Sequence, residues 1–113
     1  MPRIHYRTLY KDPKLKITHY PEHAPEEPEH TLEILDSSIR LHHYGLKEGA
    51  LARMAKVSDK PCEVRRVLDL QCKHIFTYLL GIRVNAQAFS GIVKQAYEKQ
   101  EALMTRSKRK ARV

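Results

Sequence analysis

The stretch "TLEILDSSIRLHHYG", residues 31–45, decides the fold. Thr31 is a competent helix N-cap, and Gly45 is a good residue just past a helix C-terminus. Between them Leu32, Leu35 and Ile39 recur at a spacing that shares one helical face. Ile34 and Leu41 fall on another face, so such a helix has to be buried on more than one side. Read this way, the segment opens an all-α domain. The expectation is a small bundle of about four helices over residues 31–104. An extended N-terminal arm and Pro/Glu linker occupy 1–30, and a basic tail occupies 105–113.

The other helices follow from the same periodicity. "LKEGALARMAKV", residues 46–57, predicts a short helix weakened by Gly49. "SDKPCEVRRVLDLQCKHIFTYLLG", residues 58–81, predicts the strongest one. Ser58 or Asp59 can cap it and Pro61 suits its first turn. Val64, Leu68, Cys72, Ile75 and Leu79 form its apolar stripe, and Gly81 ends it. Asn85 caps a last helix, 86–105. There Ala88, Phe89, Ile92, Ala96 and Leu103 face inward, with Gln87, Ser90, Lys94 and Glu101 opposite.

Upstream, "KLKITHY" (14–20) alternates, placing Leu15, Ile17 and His19 on one side of a short strand. A lone strand must lie on the helices, pair with another chain or stay mobile. "PEHAPEEPEH" (21–30) holds three prolines and four glutamates and reads as a linker.

Charge narrows the function. Twenty-one Lys and Arg against 13 Asp and Glu give a net charge of +8 and a pI near 9.7. That balance favours anionic partners, nucleic acid first. The distribution is uneven. Residues 21–36 carry six carboxylates and no Lys or Arg, whereas "TRSKRKARV" (105–113) carries five cations and no acid. No apolar run approaches the ~20 residues that span a bilayer, so no membrane association is expected. Cys62 and Cys72, with no secretory h-region ahead of them, suggest free thiols in a reducing intracellular compartment: cytoplasm, nucleus or nucleoid, or an organelle matrix.

One run carries a sharper hint. In "LLGIRVNAQAFSGIVKQAY" (79–97), "LLGI" resembles the hydrophobic-Gly-hydrophobic junction of helix-turn-helix proteins. "ALARMAKVS" (50–58) followed by "VRRVL" (64–68) resembles it too. Both turns are about two residues longer than usual. The first site would read base edges through Gln87, Ser90 and Lys94. Arg65, Arg66 and Lys73 would hold phosphates, helped by Arg3 and Arg7 in the arm and by Arg106, Lys108, Arg109 and Lys110 in the tail. Tyr6, Tyr10 and Tyr20 interleave with Arg3, Arg7 and Lys11, a mixture suited to single-stranded RNA.

The expected function is therefore non-enzymatic nucleic-acid binding to DNA or RNA. The protein would be either a helix-turn-helix-like DNA-binding regulator or a structural subunit of a ribonucleoprotein. The alternative is a protein-interaction module, whose basic surface meets an acidic partner or whose apolar surplus at Ile34, Leu41, Leu70 and Leu80 forms a homodimer. No cofactor is expected. Seven histidines invite a metal reading, but none has zinc-ligand spacing, and Cys72 and His74 point to opposite helix faces. No phosphate loop, nucleophile elbow or carboxylate pair suggests an enzyme.

Overall fold

The computed structural model describes residues 5–36, 38 and 40–111, with side chains through Thr105. It corrects the all-α expectation. A four-stranded antiparallel sheet precedes four helices, with 51 residues in helices and 22 in strands. The strands are β1 (Arg7–Lys11), β2 (Leu15–His19), β3 (His30–Leu35) and β4 (Leu41–Leu46), neighbours in sequence order. The helices are α1 (Ala50–Lys56), α2 (Pro61–Gln71), α3 (Ile75–Gly81) and α4 (Ala86–Ala111).

The deciding stretch is a hairpin. His30, Leu32 and Ile34 are buried while Thr31, Glu33 and Leu35 alternate outward, which is a strand period. Asp36 makes the turn. Its Oδ1 accepts the amides of Ser38 and Arg40 at 2.9 and 3.0 Å, and its Oδ2 accepts from His42 Nε2 at 2.8 Å. An aspartate that bonds the backbone ahead of it competes directly with helix. The His42 contact holds the Asp36 carboxyl below the usual range, with the two amides helping. Thr31 and Gly45, the expected caps, face each other across this hairpin. The expected role of Ile39 lies outside the described residues.

The N-terminal segment supplies the rest of the sheet. Asp12 turns β1 into β2 by accepting the Lys14 and Leu15 amides at 2.6 and 2.9 Å, and the Tyr10 hydroxyl at 2.6 Å. Both edges of β2 are occupied, so it is no free strand awaiting another chain. The Pro/Glu segment is a closed loop between β2 and β3, its ends joined by Tyr20 N–H donating to Glu29 O at 2.8 Å.

This loop lies close over the outer face. A Cβ at Gly45 would stand 2.9 Å from Pro28 Cβ and 3.0 Å from its Cγ, and the ring cannot swing aside. Replacing a strand glycine by alanine ordinarily gains a few tenths to about 1 kcal/mol. Gly45→Ala is instead expected to cost about 1–2 kcal/mol through overpacking, read as a lowered urea midpoint. A gain in stability would show that Pro28 is not seated there.

The helices cover the other face. Leu9, Leu15, Ile17, Leu32, Ile34 and Leu46 from the sheet join Leu51, Met54, Val64, Leu68, Ile75, Phe76, Leu79, Phe89, Val93 and Ala96 in one core. The expected single helix over 58–81 is two helices. Cys72 is extended and His74 adopts a left-handed φ of 68°, which ends α2 and redirects α3. The bend seats both Ile75 and Phe76 in the core and leaves Leu70 outside, 75% exposed. Asn85 caps α4 as expected, its Oδ1 accepting the Ala88 amide at 2.8 Å. The backbone of α4 continues past residue 105 to Ala111, so most of the basic tail is helical.

Candidate functional site

The expected base-reading face is partly covered. Gln87 and Lys94 are exposed, but Ser90 is only 3% exposed, and its hydroxyl donates to Ala86 O at 2.9 Å. The inward stripe of α4 is Phe89, Val93, Ala96 and Gln100, about one residue out of phase with the expected one, and Ala88 is exposed. Ser90 therefore turns inward and satisfies itself within the helix. Ile34, expected in a dimer surface, is fully buried; Leu41, Leu70 and Leu80 are exposed.

The expected phosphate ligands on α2 are exposed but engaged. Arg66 pairs with Glu63 at 3.2 Å and Arg65 with Asp69 at 3.8 Å. The Arg65 guanidinium also lies 4.9 Å from the centre of the Phe76 ring. Arg65 and Lys73 do meet, in a groove of about 320 Å3 whose lining also includes Asp69 and Leu80. Neither Gln87 nor Lys94 lines it. Arg7 sits in β1, opposite His19. Arg3 and the side chains of Arg106, Lys108, Arg109 and Lys110 lie outside the described residues.

Two more depressions, of about 290 and 200 Å3, adjoin at the β1–β2 turn through Pro13, Lys14 and Leu35. Lys14 and Arg83 face Asp36 in one; Lys11, Lys14 and Lys16 face Asp12 and Glu33 in the other. Cations outnumber carboxylates by one in each, and likewise in the α2–α3 groove.

The fourth cleft, about 350 Å3, has the opposite sign. Glu29, Glu48 and Glu101 line it with no Lys or Arg, in a chain whose net charge is +8. At its wall stand two histidines. His19 and His30 pair across β2 and β3 with rings stacked 4.6 Å apart, and they are 3% and 1% exposed. Glu29 Oε2 lies 3.4 Å from His19 Nε2, and Glu29 Oε1 lies 3.8 Å from His30 Nδ1. The Gly49 amide fixes that carboxylate by donating to Oε1 at 3.0 Å, from a turn where Gly49 has a φ of 81°. His30 Nε2 donates to Gln100 Oε1 of α4 at 2.6 Å. Burial lowers the proton affinity of both rings, against the opposing pull of Glu29.

The sequence expectation assigned no site to this trio. The signal that could have found it is the inward register of His19 in "KLKITHY", continued across a strand pair that begins at His30. Comparison with known protein families, curated proteins and solved structures finds no match to the chain. Among the described residues no helix is long and apolar enough to cross a membrane.

Proposed function

We propose that the protein binds nucleic acid without enzymatic activity, through phosphate contacts anchored by the basic end of α4. The observation that carries this reading is how charge is distributed along the chain. Three cationic depressions among the described residues each offer a surplus of one positive charge. Residues 105–113 offer five cations and no acid, and α4 carries Arg106, Lys108, Arg109 and Lys110 on a continuous helix. Counterion release scales with the number of phosphates neutralised, so this concentration outweighs the scattered surface cations. The inward turn of Ser90 favours backbone contact, as in a ribonucleoprotein subunit, over base reading along α4.

Salt tests it directly. The full chain should bind a short single-stranded RNA at low salt, with affinity falling steeply as salt rises. Deleting residues 105–113 should reduce the slope of log affinity against log salt by roughly 3–5, at ~0.7–0.9 per lost contact. Arg65→Ala with Lys73→Ala should change it by about 2 or less. Binding that is absent at low salt, or a deletion that leaves the slope intact, would sink the reading. A salt-insensitive association of the chain with itself would instead favour an apolar interface at Leu41, Leu70 and Leu80.

A further inference from the structure

We propose that His19, Glu29 and His30 form a binding site for a divalent transition-metal cation of the zinc type, open to the acidic cleft. One donor atom from each residue lies within 4.8 Å of the others. The trio is assembled by three independent elements of the fold: the β2–β3 pairing aligns the rings, the Gly49 amide orients the carboxylate, and α4 supplies Gln100.

The hydrogen-bond pattern defines what the site lacks. In the neutral ring, donation from His30 Nε2 to Gln100 leaves Nδ1 as a bare lone pair. That atom is buried, has no hydrogen-bond partner, and faces the Glu29 carboxylate at 3.8 Å. The two electron-rich groups confront each other at the cleft wall and repel, and the buried Nδ1 acceptor without a donor costs stability. A cation between them satisfies both. Metal-binding histidines characteristically give their second ring N–H to such an acceptor, the role Gln100 fills for His30. His19 presents Nε2 to the same carboxylate, and its Nδ1 also has no hydrogen-bond partner.

Donor chemistry sets the class of ion. Two imidazoles and one carboxylate, with no thiolate, suit zinc, cobalt, nickel or ferrous iron; calcium and magnesium prefer all-oxygen sites. Tetrahedral binding at ~2.0–2.1 Å draws the donors to about 3.3 Å from one another, a closure that side-chain rotation can supply. Three protein ligands leave a fourth position for water on the cleft side. Glu48 and Glu101 add negative charge there, against Arg7 across from His19.

The test uses the full chain without a histidine tag, stripped with EDTA and titrated with Co2+ and then Zn2+. One equivalent of Co2+ should bind with visible absorption bands of tetrahedral intensity, be displaced by Zn2+, and raise the melting temperature. Glu29→Gln can still accept from Gly49 but loses its charge, and should weaken binding at least tenfold. Gln100→Ala should weaken it roughly 10–100-fold by freeing the His30 ring. His43→Gln, at an exposed position, should leave affinity unchanged. The proposal is overturned if the wild-type protein takes up no saturable equivalent at micromolar metal. It is equally overturned if Glu29→Gln and His30→Gln, shown by circular dichroism to be folded, bind as tightly as wild type, or if His43→Gln abolishes uptake.

Discussion

Phe89→Ala is expected to remove about 3–5 kcal/mol of stability, the usual cost of truncating a fully buried aromatic. Phe89 is completely buried and meets Phe76 edge-on, with ring centres 6.0 Å apart and planes at 77°. It sits on α4, the helix that packs against β1, α1 and α2. Loss of this ring opens a cavity beside Phe76 in the shared core, which the surrounding side chains can fill only in part. A domain of this size holds roughly 5–15 kcal/mol in total, so the variant should be largely unfolded at moderate urea. Phe89→Leu, which keeps most of the volume, should cost less than half as much. Urea unfolding followed by circular dichroism decides it: a loss under about 1 kcal/mol for the alanine variant would mean that the ring is not in the core.

Acid should begin to destabilise the metal-free protein below about pH 6.5, before its carboxylates titrate. Burial holds the His19 and His30 rings below their ordinary proton affinity; Glu29 only partly offsets it at His19, and the Gln100 hydrogen bond together with Glu29 only partly at His30. Arg7 and His23 push the same way as burial, more weakly. The unfolded chain therefore binds more protons than the folded one once pH drops below about 6.5. Stability is fully present above that pH and falls as pH descends toward the lowered folded values. Each ring contributes at most about 1.4 kcal/mol per pH unit within that window. Urea midpoints measured in EDTA from pH 8 to pH 5 should be level at first and then decline. His30→Gln, which adds no titrating group, should reduce the decline. A midpoint that is flat from pH 7 to pH 5 would show that the rings titrate alike in both states.

The helical half was legible because its periodicity and caps agree. Val64, Leu68, Ile75 and Leu79 were placed inward and are buried, and Asn85 caps α4. β2 was legible from the alternation of Leu15, Ile17 and His19, all buried. The 30–46 hairpin was not, because its apolar residues do not mark its faces. His30, His42 and Tyr44 take inward positions, while Leu35 and Leu41 point out. Apolar counting then finds a weak helical face where a strand pair stands. The break between α2 and α3 was equally hidden. It turns on His74 in a left-handed conformation, with no glycine or proline between Gln71 and Ile75 to announce it. The histidine–glutamate trio depends on the missed strand β3, since its register with β2 makes neighbours of residues that look like parts of a linker.

The order of elements has a consequence for the protein's synthesis. The sheet is complete in sequence by Leu46, and its strands pair only with their neighbours along the chain. Such local hairpins close quickly. Their apolar side, with Leu9, Leu15, Ile17, Leu32 and Ile34, awaits Phe89, Val93 and Ala96 of the last helix. At roughly 5–20 residues per second, a ribosome takes several seconds to deliver that helix. During that interval the nascent chain holds a finished sheet with a bare, sticky side. The interval before α4 can dock is therefore when the sheet is most exposed to aggregation and makes its greatest demand on chaperones.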